Sequence, residues 1–164
     1  MNDKLRDLIK MWFYKSKEME NPFDQFIFLW ISFNAFYAHE HLREKESSQL
    51  KIFRHQFKKL FREVVTKNDA TFKEFKHYID TKPVNTGFIQ DLRFPVDEER
   101  HKQRYSDLTS LCEYIDCVYQ VRCNLFHGGK SPEDGQDENI VKHAYNSLVV
   151  FCKAIYQKEG ILNS

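Results

Sequence analysis

The run FIFLWISFNAFYA, residues 26–38, constrains the architecture more than any other stretch of the chain. It is thirteen residues long, bounded by Asp24 on one side and the His39-Glu40-His41 stop on the other. A membrane span needs about 20 apolar residues, so this run reads as a core helix, and other elements must cover it. Those elements are also legible as helices. Leu5, Leu8, Ile9, Trp12 and Phe13 form a helical stripe over 2–19, with Asn2 or Asp3 available as cap. After the Asn21-Pro22 break, Asp24 opens the apolar helix, expected to run to about Arg43. Leu50, Phe53, Phe57, Leu60, Phe61 and Val64 repeat the period over 47–66, and Phe72, Phe75 and Ile79 do so over 70–80. Residues 82–95 hold two prolines and a glycine and read as an irregular connection. A long helix is expected over 98–127 and a last one over 137–158.

With no period-two alternation, repeat or linker, the expectation is one all-α domain over residues 1–164, a bundle of five to six helices. Only five Gly and four Pro agree with long helices, and fifteen Phe and eight Tyr foretell an aromatic core. The start, Met1-Asn2-Asp3-Lys4-Leu5, lacks the apolar core of a signal peptide, and Cys112, Cys117, Cys123 and Cys152 form no zinc-ligand pattern. The expectation is reduced thiols in a cytoplasmic protein with no metal, cofactor or membrane association.

Charge is uneven. Residues 45–82 hold ten Lys/Arg against five Asp/Glu, although the whole chain is only +1. Lys51, Arg54, Lys58, Lys59 and Arg62 lie on or near the polar side of the third helix. Such a run is either a solvated face or a track for phosphates.

The stretch VRCNLFHGGK, 121–130, carries the chemistry. Leu108, Leu111, Ile115, Val118, Arg122 and Leu125 follow one another at steps of three and four, so Arg122 falls on the expected apolar seam. Arginine is rarely buried without a partner. It is therefore held in an internal salt bridge, reaches the end of the bundle, or serves a site. His127 follows five residues later, about 140° around the helix, and Gly128-Gly129 stops the helix beside it. Asn124 lies three residues before His127 on the same side. A histidine moves protons near neutral pH, and an arginine neutralises phosphate oxygens through its planar fork. Asn34, among apolar neighbours of the second helix, needs hydrogen-bond partners: a core contact or an orienting role toward Arg122 or His127. The GGKS at 128–131 is not a P-loop, since Asn124 stands where that motif needs glycine and the segment follows a helix.

The Trp30, Phe33, Asn34 and Tyr37 spacing resembles the early W-x-x-F-N-x-x-Y helix of bacterial HEPN (higher eukaryotes and prokaryotes nucleotide-binding) proteins. Arg122, Asn124, His127 and Lys130 stand in a segment similar to their R-x-N-L-F-H-G-G-K and satisfy the R-x4-6-H signature. The resemblance covers about residues 20–158. It implies a helical bundle that dimerises and sets two such motifs in one cleft. It further implies a metal-independent endoribonuclease, of toxin or phage-defence type, that leaves 2′,3′-cyclic phosphate and 5′-OH ends. Arg122 and His127 would then be catalytic, with Asn124, Lys130, Asn34, Lys58, Lys59 and Arg62 supporting the RNA. An antitoxin or nucleotidyltransferase partner is part of the same implication. Gly129 stands where the R-x4-H-x-Y toxins carry the tyrosine modified by nucleotidyl transfer, so that route of silencing is not expected. The alternative is a non-catalytic HEPN module that binds nucleotide, RNA or a partner protein.

Overall fold

The computed structural model describes residues 1–39, 41–80, 88–90, 102–104, 107–126 and 135–163. Six helices dominate it: α1 (Asp3–Glu18), α2 (Pro22–Ala38), α3 (Glu46–Lys67), α4 (Asp69–Asp80), α5 (Leu111–Phe126) and α6 (Gly135–Lys158). The fold is an all-α bundle. Two three-residue strands, β1 (Phe88–Gln90) and β2 (Lys102–Arg104), form a short antiparallel ribbon with Ile89 opposite Gln103.

Local sequence explains the helix ends. The Asn2 side chain accepts from the Leu5 amide at 2.9 Å and starts α1. Asn21 accepts from the Phe23 amide at 2.8 Å, and Pro22, whose missing N–H costs nothing in a first turn, opens α2. At the far end of α6, Gly160 takes φ +66, a conformation that suits glycine. Ile161 donates to the Tyr156 carbonyl at 2.7 Å and Gly160 to Gln157 at 3.1 Å, the pairing that turns Ile161 and Leu162 back into the core.

The apolar second helix is enclosed as its composition demands. Phe26, Leu29, Trp30, Phe33, Phe36 and Tyr37 are all buried, and α2 packs against α1, α3 and α6. A hydroxyl chain ties three of these helices. Ser32 donates to the Ile9 carbonyl at 2.8 Å, so the 2.9 Å contact with Tyr156 must have the phenol as donor. Buried residues of every helix merge into one aromatic cluster, with Phe61, Tyr114 and Phe151 stacked edge to face or tilted at its centre.

Three expectations about boundaries need correction. The second helix ends at Ala38, not near Arg43, and starts at Pro22 rather than Asp24. Within the expected irregular connection over 82–95, Phe88–Gln90 is a strand. The expected long helix over 98–127 begins only at Leu111: Lys102–Arg104 is extended, and residues 107–110 form a turn. That turn is built by Asp107, whose carboxylate accepts from the Thr109 amide at 2.8 Å, while the Ser110 carbonyl takes the first helical bond from Tyr114. No described helix is long and apolar enough to cross a membrane.

Candidate functional site

Arg122 lies one turn before the end of α5, on the border of the apolar face and not at its centre. Its side chain is 27% exposed. The buried line of α5 instead runs through Leu111, Tyr114, Ile115, Val118, Val121 and Asn124. Leu108 precedes the helix, so the step from 108 to 111 is not a helical one, and the seam turns away from 122 toward 121 and 124.

Around Arg122 the bundle builds a half-open aromatic box. The guanidinium carbon lies 5.9 Å from the Trp30 ring centre, 5.6 Å from Tyr119 and 5.0 Å from Phe126. Such rings stabilise a cation through their negative faces while leaving its hydrogen-bond donors unused. The acidic partner is Glu46, in the first turn of α3, at 4.0 Å from Nη1. At that distance charge attracts, but no close bidentate fork is formed. The Nε of Arg122 is buried and has no hydrogen-bond partner among the described residues. Burial is the largest single influence and disfavours the guanidinium charge, but Glu46, the Cys123 sulfur that accepts from Nη1 at 3.9 Å, and Tyr119 together outweigh it and leave the pKa above its ordinary value.

Glu46 is fixed from two sides. Tyr37 donates to its Oε1 at 2.7 Å and Tyr119 to its Oε2 at 3.0 Å. Asn34 donates in turn to the Tyr37 oxygen at 2.6 Å. Burial, reinforced by the carboxylate, holds both phenols protonated, with Tyr119 pushed up to about 12. The result is a relay, Asn34–Tyr37–Glu46–Arg122, that joins α2, α3 and α5 at one end of the bundle. Asn34 thus reaches Arg122 only through Tyr37 and Glu46, and its own partner lies in its own helix.

The other candidate residues separate. Asn124 is 2% exposed and accepts from Gln120 Nε2 at 2.9 Å, on the core side of α5 and about 200° around the helix from Arg122. His127 and Lys130 lie outside the described residues. Lys58 and Arg62 are exposed and line a groove with Arg54, whereas Lys59, also exposed, is not among its lining residues. Arg54 is itself paired with Asp116 of α5. Among the described residues no three His, Cys, Asp or Glu side chains converge as a metal site, and all four cysteines are free, with Cys112 exposed.

Glu46 is the site residue that sequence reasoning missed. An acid in the first turn of a helix reads as a response to the helix dipole. Its pairing with Arg122 depends on α3 and α5 running antiparallel, which the Glu46–Arg122 and Arg54–Asp116 pairs establish. No protein-family model, curated protein or solved structure matches the chain.

Proposed function

We propose that the chain is a HEPN-type, metal-independent endoribonuclease whose Arg122 and His127 act on RNA in a cleft completed by a second copy. The observation that carries this reading is the state of Arg122: a cation held in place by three rings and a carboxylate, with part of its donor fork unengaged. The R-x4-H spacing sets His127 next to it in sequence. In the reaction, the ribose O2′ attacks the adjacent phosphorus and the P–O5′ bond breaks. His127 receives the 2′-OH proton, the departing 5′ oxygen takes one up, and Arg122 neutralises the phosphate oxygens. The protein would act in the cytoplasm under control of an antitoxin or nucleotidyltransferase, as a toxin or phage-defence component.

The test is cleavage of a mixed RNA pool with EDTA present. Wild type should release 2′,3′-cyclic phosphate ends, and Arg122→Ala and His127→Ala should each lose activity, His127→Ala by about 10²–10⁴-fold. Cleavage retained in either variant rejects the mechanism. Light scattering at micromolar concentration should give a dimer.

A second reading has its own support. Because Glu46 neutralises Arg122 within the chain, the arginine also serves as an interhelical tie. A wild type inactive on every RNA offered, with an Arg122→Ala variant that fails to fold, would make the chain a non-catalytic binding module for nucleotide, RNA or a partner protein.

A further inference from the structure

The seam between α3 and α5 does not end at the Glu46–Arg122 pair. Followed away from Arg122, it passes the Arg54–Asp116 pair and opens into a groove of about 860 Å³. One wall is a stripe of α3: Arg54, Lys58 and Arg62 stand four residues apart, hence on one helix face and roughly 6 Å apart along it. The other wall is the start of α5, with Thr109, Ser110, Leu111 and Cys112. The first-turn amides of a helix have no acceptor within it and favour an anion.

Two acids also line this groove, and among the described residues only the first is paired with a cation. Asp69 binds Lys73 at 2.6 Å. Asp107 accepts from the Thr109 amide and hydroxyl. Lys58 and Arg62 have no ion-pair partner among the described residues. With Arg54 paired to Asp116, Lys58 and Arg62 leave the α3 wall net positive; it faces the hydroxyls at the start of α5, where Asp107 keeps its charge, and Val65 and Leu111 add apolar lining.

We infer that this groove holds the sugar–phosphate backbone of single-stranded RNA and leads it along the α3–α5 seam toward Arg122. The inference rests on reading the chain as a protein that acts on RNA. Three cations at even spacing along one helix match a linear polyanion better than a single phosphate. A groove between neighbouring helices admits an unpaired strand, whereas a duplex is a thick rod that presents its phosphates on a convex surface. From Leu111 to Arg122 is eleven residues of α5, about 17 Å, so one strand can occupy both places. Arg54 joins the path, and Lys59 drops out of it.

The test is equilibrium binding, which needs no cleavage. The full chain carrying His127→Ala is titrated into a fluorescent oligouridine of about 12 nucleotides, within the range one such groove holds, across a salt series. Adding Lys58→Gln and Arg62→Gln together should weaken binding and reduce the slope of log K against log salt by about 1.4, or about 0.7 for each lost contact. Lys59→Gln should leave the slope unchanged. RNA duplex of equal length should bind more weakly and respond less to the double substitution. Thermal melting of each variant checks that these exposed substitutions leave the fold intact. An unchanged slope in the double variant overturns the inference, as does an equal loss from Lys59→Gln, which would reveal only a diffuse charge field. Equal loss on duplex would point to a double-stranded ligand and overturn it too. The two readings fail separately: intact cleavage by Arg122→Ala rejects the proposed reaction and leaves the slope experiment standing.

Discussion

Arg122 shows how one side chain can be both held and available. A charge pair of two side chains each about a quarter exposed contributes on the order of 0–1 kcal/mol, and each ring face adds about 0.5–1 kcal/mol. With three rings and one pair, Arg122→Ala should therefore cost about 1.5–4 kcal/mol, most of it from the rings. Thermal unfolding of that variant decides the matter, and a loss above about 4 kcal/mol would show an arginine buried more deeply than its exposure indicates. Glu46 is the complementary case. We place it as a positioning residue, because it touches Arg122 and two phenols but no reacting atom. Glu46→Gln keeps the shape and an acceptor for one phenol while removing the charge that aims the guanidinium. Single-turnover cleavage should slow, while RNA affinity stays equal or rises as a competing anion disappears. An unchanged rate would leave Glu46 a purely structural role.

Among the elements, the three-helix tie through Ser32 is the most exposed to a single change. Ser32→Ala removes the acceptor of the buried Tyr156 hydroxyl and should cost about 1–3 kcal/mol. At roughly 2–4 °C per kcal/mol for a chain of this size, the melting temperature records it. No shift would mean that the phenol finds another acceptor. The helices are legible in the sequence because most carry an apolar stripe and α2 is apolar nearly throughout, and Asn2 or Asp3 is recognisable as the first cap. The charged, helix-compatible residues before Leu111 extend the helical pattern past the true start of α5. Ser110-x-x-Glu113 before an apolar run is a helix-start pattern that marks the true boundary. The phase of α5 is ambiguous in the sequence for a related reason. Its apolar face is so broad that both the 118–122–125 and the 118–121–124 lines fit the period, and only the packing of neighbouring helices selects between them. The site divides the same way. Arg122 was visible as a cation among apolar residues, while Glu46, 76 residues away in sequence, becomes its partner only when α3 and α5 lie antiparallel.

At the scale of the whole molecule, buried thiols and phenols govern the response to alkali: burial raises the pKa of Cys117 and Cys152 as it does that of the tyrosines. Burial raises the pKa of Tyr37, Tyr114, Tyr119, Tyr145 and Tyr156 above the ordinary value of 10.0, Tyr119 to about 12. A phenol that keeps its proton more tightly when folded favours folding fully below its unfolded pKa, and loses that contribution as pH rises through the folded one. Stability should thus be level up to about pH 8, begin to fall near the unfolded thiol pKa of about 8.5, and fall further from about 10 through 12 and beyond, with the last of the tyrosinate absorbance appearing together with loss of helix. Full tyrosinate absorbance reached while the helix signal persists would show that water reaches these buried rings in the native bundle.

The aromatic box at Arg122 has an optical consequence. The chain has two tryptophans: Trp30 faces the guanidinium, and Trp12 stacks on Phe28 at 5.4 Å, away from it. Replacing Trp12 with Phe leaves Trp30 as a single emitter whose excited state is set by the cation beside it. A phosphate that draws the guanidinium off the ring changes the field on the indole and hence the colour and intensity of its emission. The bundle thus carries a built-in light source at its candidate site, able to report occupancy without any attached dye.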